Sequence, residues 1–307
     1  MDLRKSERAN IAVRRLDGHA TAVEHTTRKQ RKRIRAIIRE VMLQVILITL
    51  GICFLFPFAW LISTSLKTDD QIFTEGIQLI PRPIAWQNYP KALAYIPFFT
   101  YTKNTLYIAV LNVIGVLLSC SLAAYGFSKI KWPGRDFLFM VLLSTIMIPG
   151  QVTMIPVFIL FKWLGWYGTF KPLVVPHFFG GAFGIFMLRQ FFMTIPKELS
   201  DAAKIDGCSE FNIYRTIILP LSKPALATLG VFQFMGSWRD FLGPLIYLQS
   251  ESQYTLAIGL RHFLTQHGAE WSMLMAASAI VSLPMVVAFF LAQRTFIQGI
   301  TLTGIKG

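Results

Sequence analysis

Apolar residues along this chain gather in runs too long for a strand and without the polar face of a soluble helix. A bilayer's hydrocarbon core, about 30 Å thick, needs roughly 20 apolar residues in helical form. Six stretches reach that length, at about 41–62, 104–127, 137–163, 172–192, 224–248 and 271–293. The third is interrupted by Pro149-Gly150 and Pro156, the fifth holds Arg239, Asp240 and a Gly243-Pro244 break, and Pro284 lies in the sixth. The pattern predicts an all-α, polytopic membrane protein of six transmembrane helices. It divides the chain into a basic arm over 1–40, a membrane domain over 41–293 and a tail over 294–307. Two polar connections are long: 63–103, rich in turn residues such as Pro81, Pro83 and Pro97, and 189–223.

Composition agrees with this reading. The chain is 54% hydrophobic and 15% charged, against about a quarter charged in soluble domains. Its net charge of +14 would suit a nucleic-acid binder, but the charge sits in the wrong place for one. Residues 1–40 carry 12 Lys and Arg against five acids, packed directly before the first apolar run. With the amino terminus in the cytoplasm, 22 basic residues fall on the inner side and seven on the outer, as the positive-inside rule requires. Both termini are therefore expected in the cytoplasm. The segment 28–39 could also meet anionic lipid, though a topology signal suffices to explain it. Trp163, Trp166 and Trp271 fall at span ends, where indoles favour the headgroup region. The first apolar run starts too late and runs too long for a cleaved signal peptide.

The chemistry of an enzyme is not visible. Cys53, Cys120 and Cys208 fit neither a metal spacing nor a disulfide framework. His19, His25, His177, His262 and His267 form no ligand motif, so no metal is expected. There is no phosphate-binding Gly-x-x-x-x-Gly-Lys-Ser/Thr loop and no Gly-x-Ser-x-Gly elbow. No catalytic residue and no cofactor of the chain's own are expected. A self-sufficient secondary transporter would want repeats or more ionisable groups in its spans than the Arg239-Asp240 pair.

The 194–220 segment reads as two short helices about a turn. Thr194 can cap the first, Pro196 suits an early helical position, and Glu198 and Asp201 lie toward its positive end. Gly207 supplies a left-handed residue to end it, Ser209 can cap the second, and Pro220 is expected to interrupt that one. Ala202 and Ala203 would let another surface approach the backbone closely. The pair can be a docking element or simply a connecting loop.

These residues carry a resemblance. Asp201-Ala202-Ala203, then Gly207, then Ile217-x-Leu219-Pro220, resembles the Glu-Ala-Ala…Gly…Ile-x-Leu-Pro loop of bacterial ABC importer permeases, with Asp201 in place of the usual Glu. Ile148-Pro149-Gly150-Gln151-Val152-Thr153, Ile195-Pro196-Lys197-Glu198-Leu199 and the ending from Gln293 have the character of the maltose-type, carbohydrate-uptake branch. Trp238-Arg239-Asp240-Phe241-Leu242-Gly243-Pro244-Leu245 resembles that branch's Trp-Asn-Asp-Phe-Leu-Trp-Pro-Leu, departing at Arg239 and Gly243. The resemblance implies half of a pore in the bacterial inner membrane. Its partners would be a sister permease, two ATP-binding cassette ATPases that hold the ATP, and an extracytoplasmic solute-binding protein. Glu198, Asp201, Ala202, Ala203, Gly207, Ile217, Leu219 and Pro220 would form the loop that seats on the ATPase.

Polar residues within apolar spans normally face a bundle interior or a water-filled path. The candidates are Asn104, Asn112, Gln151, Thr153, His177, Gln233, Arg239 and Asp240. A sugar path would use amides, carboxylates and aromatic faces, which singles out Gln233, Trp238 and Asp240. Interhelical hydrogen bonding is the alternative for each. Gly180 and Gly184, at Gly-x-x-x-Gly spacing, read as a close helix contact.

Overall fold

The computed structural model describes residues 37–73, 78–265 and 268–304. The basic arm lies almost wholly outside these residues, as do His19, His25, His267 and the last three positions of the tail. The chain divides into two units, Met1–Trp60 and Leu61–Gly307. Residues 37–60 of helix α1, Ile37–Ser65, make up the described part of the first unit. Leu47, Phe54 and Leu55 are among its many exposed side chains. A helix apolar all round is stable only where lipid or another apolar surface covers it.

In the second unit, the segment after α1 is held by buried amides. Two short helices, α2 (Asp69–Phe73) and α3 (Asn88–Tyr95), lie in it. Asn88 Nδ2 donates to the carbonyls of Ser65 and Lys67 at 2.9 and 2.8 Å, and Gln71 Nε2 donates to that of Arg82. Helix α4, Phe98–Ser128, then runs unbroken for 31 residues. At 1.5 Å per residue that is about 46 Å, more than a hydrocarbon core requires.

The third expected span is two helices, α5 (Arg135–Ser144) and α6 (Gly150–Trp163), with a 3-10 turn after α5 and a 99° bend between them. Pro149-Gly150 makes that break, whereas Pro156 stays inside α6. The fourth span is α7 (Lys171–Val174), a 3-10 stretch over Val175–Phe179 and α8 (Ala182–Thr194). Gly180, at φ +85°, forms the corner before α8. The Gly-x-x-x-Gly expectation is corrected here: its two glycines do not share a helix, and Gly184 alone makes the close contact.

After the 194–220 loop comes α12, Lys223–Trp238, bent 78° from the segment before it. The fifth span was expected to run to 248 with its break at Gly243-Pro244. The break instead falls at Arg239–Phe241, and a separate short helix, α13 (Leu242–Tyr247), follows. At this break Asp240 Oδ1 accepts the Gly243 N–H at 3.1 Å, taking up one backbone donor in the first turn of the new helix. Helix α14 (Leu256–Arg261) and a two-residue antiparallel hairpin, β1 (Leu264–Thr265) with β2 (Gly268–Ala269), lead to the last helix. That helix, α15, runs from Trp271 to Gly304, past the point where a tail was expected to begin. Among the described residues four helices are long and apolar enough to cross a membrane, or six if each bent pair is one span.

The largest buried cluster lies among α4, α8 and α12, with Cys120, Leu188, Phe192 and Leu229 inside it. Gly184 is what lets α8 approach α4. A Cβ there would lie 2.9 Å from Cys120 Sγ and 3.3 Å from Leu229, while one at Gly181 would meet nothing within 4 Å. Gly184→Leu is therefore expected to cost about 1–3 kcal/mol by overpacking. A thermal-unfolding scan of detergent-purified protein should show a clear fall in midpoint for Gly184→Leu and none for Gly181→Ala.

Candidate functional site

The 194–220 loop begins later than expected. Thr194 is the last residue of α8, and its Oγ1 donates to the Phe191 carbonyl at 2.7 Å, so it caps nothing. Ile195, ahead of a proline, is forced extended at φ −73° and ψ 126°. Helix α9, Lys197–Ile205, therefore starts after Pro196 without a side-chain cap, and only Glu198 lies in its first turn. Its end is as expected. Gly207, at φ +79°, donates to the Lys204 carbonyl at 3.0 Å while Cys208 N–H reaches that of Ala203 at 2.9 Å. That pair of bonds is a Schellman motif.

Ser209 Oγ accepts the Asn212 N–H at 3.3 Å and caps α10, Glu210–Ile213. A π turn over Tyr214–Ile218 and α11, Leu219–Leu221, continue in line. Pro220 does not end the helix as expected. The π turn, in which Leu219 N–H reaches the Tyr214 carbonyl, widens the coil where the ring would otherwise meet the preceding turn. The break comes at Ser222, and Pro224 opens α12 in its first turn.

The two small residues of α9 differ in burial. Ala203 is 8% exposed and packs among Ile195, Ile213, Tyr214 and Ile218. Ala202 is exposed, and so are Leu199 and Ile205, the latter 88%. Glu198 and Asp201 are exposed as well, Ile217 and Leu219 are half-buried and Pro220 is exposed. The result is an exposed face of Leu199, Ala202 and Ile205 with Glu198 beside them and only a methyl group at its middle, backed by a well-packed one.

Residues that sequence patterning did not single out bind this loop to α4. Ser121, Tyr125 and Lys129 recur every four residues along its carboxyl-terminal end and share one face. Ser121 Oγ pairs with Tyr214 Oη at 2.7 Å, Tyr125 Oη donates to Glu210 Oε2 at 2.6 Å, and Lys129 Nζ donates to the Ile195 carbonyl at 2.7 Å. The other oxygen of Glu210 is 2.7 Å from Lys204 Nζ on α9. Burial pushes the Lys129 ammonium below its ordinary pKa, with the Lys197 charge adding to the effect. The bond to Glu210 raises that of Lys204.

The three residues proposed for a sugar path sit in three different settings. Gln233 lines a cavity of about 340 Å³ with His177, Gly180 and Cys120. Its Nε2 donates to Ser237 Oγ at 3.1 Å, which also accepts from Asn112 Nδ2 at 2.9 Å. Trp238 is 4% exposed, its indole stacked on Phe234 and its N–H given to the Val281 carbonyl at 3.0 Å. It ties α12 to α15. Asp240 is half-buried at the α12–α13 corner, and the neighbouring Arg239 is exposed. The glycine at 243 fits this corner, since a Cβ there would lie 2.5 Å from Asp240 Oδ2 and 3.1 Å from Leu173. Asn104 Nδ2 holds the Ser252 and Tyr254 carbonyls at 2.8 and 3.0 Å, and Gln151 and Thr153 are exposed on α6.

Comparison with known proteins places this geometry. The family model described as binding-protein-dependent transport system inner membrane component matches residues 115–301, which takes in the loop, its supports on α4 and all of α12. The arabinooligosaccharides transport system permease protein of Halalkalibacterium halodurans is 35% identical over 85% of this chain and 96% of its own length. The trehalose/maltose transport system permease protein of Thermococcus litoralis is 32% identical over 88% and 98%. In fold the chain is similar to one in the crystal structure of a bacterial ABC transporter involved in import of the acidic polysaccharide alginate. The TM-score is 0.72, at 23% identity, over 85% of this chain and 96% of that one. A membrane-spanning all-α chain, matched by this family's model over most of its length, belongs to the binding-protein-dependent transport system inner membrane component family.

Proposed function

We propose that the chain is one half of a pore for a sugar or oligosaccharide, driven by ATP that partner subunits bind. The other half is a sister permease, two ATP-binding cassette ATPases sit at the 194–220 loop, and an extracytoplasmic solute-binding protein delivers the solute. Both termini and the loop are on the cytoplasmic side, with lipid around the spans. The chain itself carries out no bond chemistry. The sugar assignment draws its support from relatives named for arabinooligosaccharides and trehalose/maltose.

One observation carries the coupling role: α9 keeps Leu199, Ala202 and Ile205 exposed on one face while Ala203 on the other is buried in the cluster shared with α4, α8 and α12. An exposed apolar face on a helix marks a partner surface, and Ala202 lets a groove come close to the backbone. Closure of the ATPases displaces α9 from outside. The buried face passes the displacement to α10 and through the bend at Ser222 into α12. Alternating access follows as the spans reorient around the path. Gln233 and the exposed Arg239 offer polar groups to that path, Asp240 fixes the corner that presents Arg239, and Trp238 holds α12 to α15.

Two substitutions separate docking from folding. Ala202→Trp is expected to leave the unfolding midpoint of the purified chain unchanged and to cut ATPase co-purification from mild detergent at least tenfold. Ala203→Trp should instead lower the midpoint or the yield of folded protein, because there is no room for the ring. Equal ATPase recovery with Ala202→Trp would remove the docking face from α9.

The solute is read directly with the complete complex in proteoliposomes. Radiolabelled arabinotriose, maltotriose and glycerol 3-phosphate are offered in turn with ATP inside. ATP-dependent uptake of a saccharide, and not of the phosphate ester, is the expected result. Uptake of the phosphate ester alone would replace the sugar reading.

A further inference from the structure

The side chains joining the loop to α4 form a regular series. Ser121 and Tyr125 are one helical turn apart, and so are their partners Tyr214 and Glu210 on the facing segment. Lys129, one turn further along α4, takes the Ile195 carbonyl just before α9 begins. The loop is thus bound to α4 before α9, through Glu210 and through Tyr214. The lower rungs differ from the upper one in character. Ser121 and Tyr214 are 2% and 5% exposed, whereas the side chains of Glu210 and Lys204 are 44% and 46% exposed.

Glu210 is the joint of this series. One of its oxygens is held by α4 through Tyr125 and the other by α9 through Lys204. Among the described residues no other side chain holds the α9 helix and a membrane-spanning helix with its two ends. A carboxylate with a charged donor on one oxygen and a hydroxyl on the other makes two short, directional bonds. Such a joint ties the two helices to one side chain. We infer that Glu210, with Tyr125 and Lys204, is the positioning element that makes α9 and the end of α4 move as one body, so that displacement of the docking helix reaches α4 directly and not only through α12. This rests on the coupling role proposed for α9.

The chain's own cysteines allow a test. Cys208, exposed immediately after Gly207, takes a spin label, and a second goes on Leu122→Cys, on the exposed side of α4. The exposed Cys53 is replaced by Ser, and Cys120 is buried. The label-to-label distance is measured in the assembled complex without nucleotide and after trapping with ATP and vanadate, in the parent and in Tyr125→Phe and Glu210→Ala. Glu210→Gln serves as the conservative variant: it keeps the side chain's length, its one amide oxygen can still accept from Lys204, and its NH2 can donate to the Tyr125 hydroxyl.

In the parent, trapping should leave the distance unchanged. In Tyr125→Phe and Glu210→Ala it should shift or broaden the distribution on trapping, and Glu210→Gln should largely restore the parent behaviour. ATP hydrolysis stimulated by the binding protein should fall several-fold in the first two variants with the amount of bound ATPase unchanged. A purely structural role would lower the unfolding midpoint and ATPase binding together instead. The inference is overturned if trapping already changes the distance in the parent, or if the variants hold it fixed. A parent preparation carrying no ATPase overturns the coupling role of α9, and this inference with it.

Discussion

A backbone amide or carbonyl without a partner in hydrocarbon costs several kcal/mol, and there is no water there to relieve it. The fold of residues 61–304 is organised around that penalty. Where a helix is continuous, as in α4, the debt never arises. Wherever a span breaks, a polar group from the same neighbourhood takes up the freed backbone. At the Gly180 corner, Ser119 Oγ donates to the His177 carbonyl at 3.1 Å and Cys120 Sγ accepts the Gly181 N–H at 3.3 Å. At the end of α12, Asp240 accepts the Gly243 N–H. Before the bend at Gly150, Ser144 and Thr145 turn their hydroxyls onto the carbonyls of Val141 and Leu142. At Ser222 the amide is shared between the Ile218 and Leu219 carbonyls.

These breaks are the parts on which the proposed coupling would act. The 78° bend at Ser222 separates the segment bound to α9 and α4 from α12. The π turn just before it takes Pro220 without ending the helix, so the bend sits after the residues that touch α4 rather than among them. Polar contacts also replace the hydrophobic drive that is absent between helices in lipid. Asn112, Ser237 and Gln233 bring α4 to α12, and Trp238 brings α12 to α15. Small residues complete the approach: a Cβ at Gly184 would lie 2.9 Å from Cys120 Sγ, one at Gly115 2.8 Å from Phe178 and one at Gly259 2.6 Å from Tyr101.

Of the chain's departures from the common motif, Gly243 has a local reason. Gly243 leaves room for the Asp240 carboxylate, which a larger side chain would crowd. Asp201 is exposed on α9, beyond its first turn, so it contributes surface charge rather than a cap. No contact in the structure explains why 239 is arginine.

What the sequence determined by itself was set by local and additive effects. Apolar run length gave the spans, because the bilayer thickness fixes how many residues a helix needs. Gly207 and Ser209 marked the turn of the loop, because a left-handed residue and a capping hydroxyl act within four residues of themselves. The spacing of Asp201, Ala202, Ala203, Gly207, Ile217, Leu219 and Pro220 was enough to indicate the family. Facing was another matter. Ala202 and Ala203 are adjacent and alike, and only the packing of α9 on Ile213 and Tyr214 decided which is buried. Trp238 and Gln233 looked equally suited to a path, and only the neighbouring helices showed that the indole N–H is spent on Val281. The run of Ser121, Tyr125 and Lys129 was present as a four-residue polar period, but its partners lie 66 to 93 residues away. A pairing over that separation is chosen by the tertiary fold, because nothing local distinguishes one buried hydroxyl's partner from another.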